Sequence, residues 1–203
     1  INTYTATYTP ATGGTITGST SQTVNYAANA TTVSAVAATG YTFTGWSDGV
    51  TTASRTDSNV TANITATANF TINSYTATYT AGANGSITGT SPQSVTYGSS
   101  ATAVTAVPNA GYRFTSWSDG VLTASRTDSN VTATISVTAN FTINSYTATY
   151  AAGANGSITG TTPQTVTYGA NATSVTAVAN TGYRFTSWSD GVATATRTDT
   201  NVT

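Results

Sequence analysis

The 203 residues carry five Arg and six Asp, no Lys, Glu, His, Cys or Met, and a net charge of −1. Charged residues make up 5% of the chain, against about 25% in a typical soluble domain, so the basic footprint that phosphate contacts require is missing and nucleic acid is excluded as a partner. Absence of Cys excludes disulfides, zinc clusters and a thiol nucleophile, and absence of Lys excludes a Lys-based cross-link between strands.

Solubility rests instead on Thr, Ser and Asn, and so little repulsive charge favours association with neighbouring repeats or chains. No apolar run is long enough to insert into a membrane or to serve as a signal segment. The chain opens on Ile1 rather than Met, which reads as a processed product or a fragment.

Ile1-Asn2-Thr3-Tyr4-Thr5 returns as Ile72-Asn73-Ser74-Tyr75-Thr76 and as Ile143-Asn144-Ser145-Tyr146-Thr147. This fixed period divides the chain into repeats 1–71, 72–142 and 143–203. Within the second repeat the opening strand, residues 75–79, alternates Tyr and Ala with Thr, both Thr and Tyr suiting a pleated surface. Gly82-Ala83-Asn84-Gly85 predicts a hairpin turn, since Asn-Gly tolerates positive φ. Short strands follow at residues 86–88, 93–97, 101–107 and 112–117, separated by Pro92, Gly98, the Pro108 to Gly111 turn and Asp119-Gly120. Residues 133–141 close the repeat as a half-buried strand, with Ile135, Val137, Ala139 and Phe141 on one face. No helical period appears. The fold class is all-β or β-grasp-like: a tandem, elongated array of three small antiparallel modules, semi-rigid because the linkers are about three residues long.

The third repeat stops before the counterpart of residues 133–142. Its sheet would then be open either to a strand from another chain or to a following repeat of a longer parent.

Gly111-Tyr112-Arg113-Phe114-Thr115-Ser116-Trp117, preceded by Ala106-Val107-Pro108 and closed by Ala139-Asn140-Phe141, resembles the divergent internalin B-repeat type, also called Listeria-Bacteroides repeats. The likeness covers the chain three times; Thr42 replaces Arg113 in the first repeat, and Ala38 and Ala179 stand at the proline position of the first and third. It implies small β-rich or β-grasp-like modules of bacterial surface proteins and secreted adhesins, used as spacers or interaction units, with no catalytic residues to carry over.

The residues themselves point to structure. Tyr41, Phe43 and Trp46, Tyr112, Phe114, Trp117 and Phe141, and Tyr183, Phe185 and Trp188 are the candidate core, each Trp anchoring its module. The same Trp residues are the candidate platform for a glycan. No His, Glu or Lys is available as a catalytic base, and an Asp119 and Asp128 pair recurring in every repeat reads as turns and ion pairs with Arg126 rather than as a glycosidase site. The chain is therefore taken as no enzyme, with no cofactor. Asp119, Asp128 and Asn130 are the weak candidate ligands for calcium. Alternate Thr, such as Thr3, Thr5, Thr7 and Thr9, are solvent-facing strand residues. Many Asn-x-Ser/Thr triplets, Asn84 and Asn140 among them, leave glycosylation open. The functional expectation is an extracellular or cell-surface stalk, adhesin spacer or filament subunit. Its alternative is a multivalent adhesin for a glycan or a host surface protein, in which weak sites sum through avidity.

Overall fold

Alternation of Thr with Tyr and Ala at the head of each repeat makes a strand with one buried face, because successive side chains point to opposite sides of the sheet. In the computed structural model, which describes Ile1–Thr203, this strand is β1 (Thr3–Pro10), with Ala6 and Tyr8 buried and Thr3, Thr5 and Thr9 exposed. The first repeat continues through β2 (Gly14–Thr17), β3 (Ser21–Asn25), β4 (Val33–Ala37), β5 (Tyr41–Trp46), β6 (Ser54–Arg55) and β7 (Ile64–Ile72). No helix forms anywhere in the chain.

Two sheets result, one in the order β3-β1-β7-β5 and one in the order β2-β4-β6. Pairing is antiparallel except between β1 and β7, which run parallel with Ala6 opposite Ile64 and Pro10 opposite Ala68. The last strand of the repeat thus enters the middle of the first sheet. Ala66 and Ala68 of β7 are fully buried there, packed in one cluster with Ala6, Tyr8, Val33 and Trp46. Small side chains at these positions leave room for the two large rings.

The second repeat repeats the plan with β8 (Ser74–Ala81), β9 (Gly85–Thr88), β10 (Gln93–Thr96), β11 (Val104–Pro108), β12 (Tyr112–Trp117), β13 (Ser125–Arg126) and β14 (Ile135–Ile143). Its sheets have the orders β10-β8-β14-β12 and β13-β11-β9. Asn84 has the expected left-handed backbone, φ 68°, but the turn is no hairpin: β8 and β9 belong to different sheets. The corner carries the chain from one sheet to the other. Residues 101–103, expected in a strand, lie outside β11, and Ala101 is buried beneath the loop.

The third repeat has β15 (Ser145–Ala148), β16 (Gly156–Thr159), β17 (Gln164–Thr167), β18 (Val175–Ala179) and β19 (Thr196–Arg197), in sheets β15-β17 and β16-β18-β19. Residues 143–203 end before the position that β7 and β14 occupy in the other repeats. Two consequences follow directly: β15 ends four residues long where β1 and β8 have eight, and residues 183–188 form no strand. Tyr183, expected in the core, is 60% exposed for that reason.

The chain divides into two compact units, one of Ile1–Thr78, Pro92–Thr102 and Thr127–Ile135, the other of Tyr79–Ser91, Ala103–Arg126 and Ser136–Thr203. The division runs through the second repeat, so the sequence period and the compact unit differ.

Because Ala66 is fully buried and its neighbour Thr65 is exposed, Ala66→Leu should lower stability by about 1–3 kcal/mol through overpacking. Thr65→Val should stay within about 0.5 kcal/mol of the parent. Urea midpoints of the two variants check the difference.

Candidate functional site

β6 is only two residues long, yet its pairing with β4, Val33 opposite Arg55, aims Arg55 into the module. Arg55 is 6% exposed. Its Nη1 and Nη2 donate to the two carboxylate oxygens of Asp48 at 3.0 and 2.8 Å, and its Nε and Nη2 donate to Asp57 at 3.1 and 2.6 Å. The guanidinium carbon lies 4.9 Å from the Trp46 ring centre and 5.5 Å from that of Tyr8. A buried cation on two aromatic faces, closed by two carboxylates, is fully compensated. The Tyr8 hydroxyl donates to Asp57 and the Trp46 indole N–H donates to the carbonyl of Thr52.

The cluster recurs. Arg126 donates twice to Asp119, at 3.1 and 2.9 Å, and sits 5.0 Å from the Trp117 ring and 5.7 Å from that of Tyr79. Arg197 bridges Asp190 and Asp199 beside Trp188 and Tyr150, and its Nε is buried without a partner.

These contacts place the residues singled out in the sequence. Asp119 engages Arg126 with both oxygens, and Asn130 sits at a left-handed corner, φ 51°. No group of three His, Cys, Asp or Glu side chains comes together. Trp46 and Trp117 are 3% and 1% exposed, each with an Arg over the ring and a Tyr at close quarters, so neither offers a free face to a sugar; Trp188 is half-buried. Phe43, Phe114 and Phe185 each pack against the Trp three residues on, and Phe43 and Phe114 also meet Phe70 and Phe141. Tyr41 and Tyr112 are half-buried at the strand starts.

Electrostatics follow the contacts. Asp48, Asp119 and Asp190 are held below the usual carboxylate range, first by their hydrogen bonds to Arg55, Arg126 and Arg197. Burial, then donation to Asp57, raises Tyr8 above its ordinary value, and burial with donation to Asp199 pushes Tyr150 up to about 12. Carboxylates locked as anions and phenols locked as neutral donors suit structure, not proton transfer.

A second arrangement joins consecutive repeats. Gly40 has φ +80°, and a Cβ there would fall within the ring of Tyr97. Asn73 bridges the two: its N–H donates to the Gly40 carbonyl at 2.8 Å and its carbonyl accepts from the Tyr97 N–H at 2.8 Å. Thr42 Oγ1 also donates to Asn73 Oδ1. Gly111, Asn144 and Tyr168 repeat the contact with bonds of 2.8 and 2.9 Å. Tyr-Gly and Gly-Tyr pairs in the sequence look like turn punctuation, and nothing in either pair alone shows that one fits the other.

Gln22, Gln93 and Gln164, unremarked in the sequence, are buried latches. Each accepts from one loop N–H and donates to the carbonyl of the same residue, Thr31, Thr102 or Thr173.

The family model for the divergent InlB B-repeat domain matches residues 4–74, 75–145 and 146–203. No curated protein matches the chain.

Arg55→Lys should destabilise the first repeat by about 2–4 kcal/mol, since an ammonium cannot make the two-sided fork or the flat stack. Asp48→Asn should cost less, because Asp48 is a third exposed. Denaturant titration of both variants tests the ranking. The pH profile is fixed by the same groups. The three carboxylates bind protons less readily folded than unfolded, so their contribution is present above about pH 4 and lost as pH falls through the lowered folded values. Tyr8 and Tyr150 are raised, so their contribution is present below about pH 10 and lost as pH climbs towards the folded values. Thermal melts should therefore show a plateau between acid and alkaline shoulders.

Proposed function

The chain belongs to the divergent InlB B-repeat family, and from that premise we propose that it is a non-catalytic spacer of a cell-surface or secreted protein, its reach set by the number of repeats. The observation that carries this reading is the junction. At both places where one repeat gives way to the next, a Tyr ring is seated on a glycine and a bridging Asn ties the two by backbone hydrogen bonds. A contact that recurs with the same partners ties each repeat to the next in the same way, which supports a spacer over a flexible string of binding units. Three of the five Arg, Arg55, Arg126 and Arg197, are paired with Asp inside the repeats, which supports a structural use of charge rather than a catalytic cleft. No helix is long and apolar enough to cross a membrane.

Variants with one extra copy of residues 72–142, and with one copy removed, test the reading by small-angle X-ray scattering. Each repeat should change the maximum dimension by a constant step of about 30 Å, the width of a compact domain of this size. Tyr97→Ser with Tyr168→Ser should keep the far-ultraviolet spectrum of the parent while blurring that step. Dimensions that grow as a flexible coil in the parent protein would sink the proposal.

A further inference from the structure

The corner that leads into β9 is built on Asn84-Gly85, and the corner that leads into β16 on Asn155-Gly156. Two separate demands put this pair there. The turn needs a left-handed residue, φ 68° at Asn84 and 63° at Asn155, which Asn adopts more readily than most side chains. In the second repeat the next position tolerates no side chain, since a Cβ at Gly85 would fall within the Phe141 ring. The first repeat meets the same demands with Gly13-Gly14.

Asn-Gly is also the dipeptide in which a main-chain nitrogen reaches the preceding side-chain carbonyl carbon with least obstruction, because the second residue has no Cβ. Here that nitrogen is left to solvent. The Asn109 N–H donates to the Asn84 carbonyl at 3.0 Å, and alternation along an antiparallel ladder then turns the Gly85 N–H away from β11. Because β9 is the edge strand of its sheet, that N–H points to the open edge. The Asn180 N–H, 3.0 Å from the Asn155 carbonyl, sets up Gly156 of the edge strand β16 in the same way. The Asn84 and Asn155 side chains are exposed, whereas Asn29, Asn63, Asn73 and Asn171 each hold a hydrogen bond through Oδ1.

We infer that Asn84 and Asn155 are sites of spontaneous deamidation, through which the array gains negative charge as it ages. Solvent base takes the Gly85 N–H proton, and the nitrogen attacks Asn84 Cγ. The new N–Cγ bond closes a five-membered ring; the Cγ–Nδ2 bond breaks, and ammonia leaves with a proton from water. Water then opens the ring. Cleavage of the N–Cγ bond leaves Asp on the ordinary main chain, and cleavage of the other ring N–C bond leaves isoaspartate, with Cγ in the main chain. Each event exchanges an amide for a carboxylate, taking the net charge from −1 to −3 when both sites convert. In a chain with 5% charged residues this is a large change, and it weakens self-association. Isoaspartate also lengthens the main chain beside the Phe141 ring, loosening β9 at its first residue. The inference is independent of the spacer reading, which stands on the junctions.

The test incubates the 203-residue chain at neutral and mildly alkaline pH in water enriched in heavy oxygen, and maps its peptides by mass spectrometry. Asn59 and Asn130 share the left-handed backbone but precede Val. Asn84 and Asn155 should convert at least about tenfold faster than these two, a difference of about 1.4 kcal/mol in barrier. The rate should rise with hydroxide, each product should carry heavy oxygen, and native electrophoresis should resolve two successive anionic steps. Asn84→Gly with Asn155→Gly, which copies the first repeat, should keep the far-ultraviolet spectrum and lose both steps. Asn84→Gln with Asn155→Gln, whose longer side chain does not close a five-membered ring, should lose them too and serves if the glycine pair fails to fold. A folded chain that keeps Asn84 intact while the urea-unfolded chain converts it, or conversion spread evenly over the other Asn residues, overturns the proposal.

Discussion

The rest of each module depends on one buried cation. Arg55 joins the first strand of the repeat to its later half: Tyr8 comes from β1, Trp46 from β5, Asp48 from the turn after it and Asp57 beyond β6. A guanidinium cannot be left in an apolar interior without counter-charge, so the fold that satisfies it must bring β1, the end of β5 with its turn, and β6 together. That constraint matters more here than in an ordinary domain. A module of this length buries a modest core, and its interior is otherwise Ala and Val around two or three rings. Water exclusion by Tyr8 and Trp46 strengthens the ion pairs, and the ion pairs hold the rings face-on to the guanidinium.

Much of the architecture was legible from residue order. The period, the strand alternation and the ion pair within Arg-Thr-Asp, as Arg55 with Asp57, express local chemistry, whereas the reach of Arg55 to Asp48 of the Ser-Asp-Gly turn does not follow from the turn alone. What was not legible is long-range. Nothing near Asn84-Gly85 reveals whether the turn returns a strand to its neighbour or passes it to another sheet, because the same left-handed residue serves both. The parallel insertion of β7 beside β1 depends on partners 58 residues apart, as the Thr9 to Thr67 hydroxyl contact illustrates. Tyr8 reads as one more strand aromatic until the fold brings Asp57 to its hydroxyl. Tyr183 reads as core from its motif, yet the motif is buried only when a strand lies against it.

The topology also bears on folding. The last strand of the repeat lies between two strands that precede it in the chain, so both of its pairings close long loops. Closing such a loop is entropically costly and slow relative to local pairing. Three repeats of nearly one sequence add a hazard, since β7 and β14 carry almost the same pattern and each could lodge in the other's sheet during folding. Short connections between repeats limit that exchange by keeping each last strand near its own sheet.

Each copy carries both halves of the fitting, as the second repeat does in Tyr97, which meets Gly40, and Gly111, which meets Tyr168. Family matches at residues 4–74 and 75–145 abut without a gap, and a duplication or deletion of that period would recreate an identical junction wherever it fell. Unequal recombination at the DNA level can therefore lengthen or shorten the array without inventing a new interface. Size becomes a heritable variable that a population can change in single steps, while each individual module remains under the same selection as before.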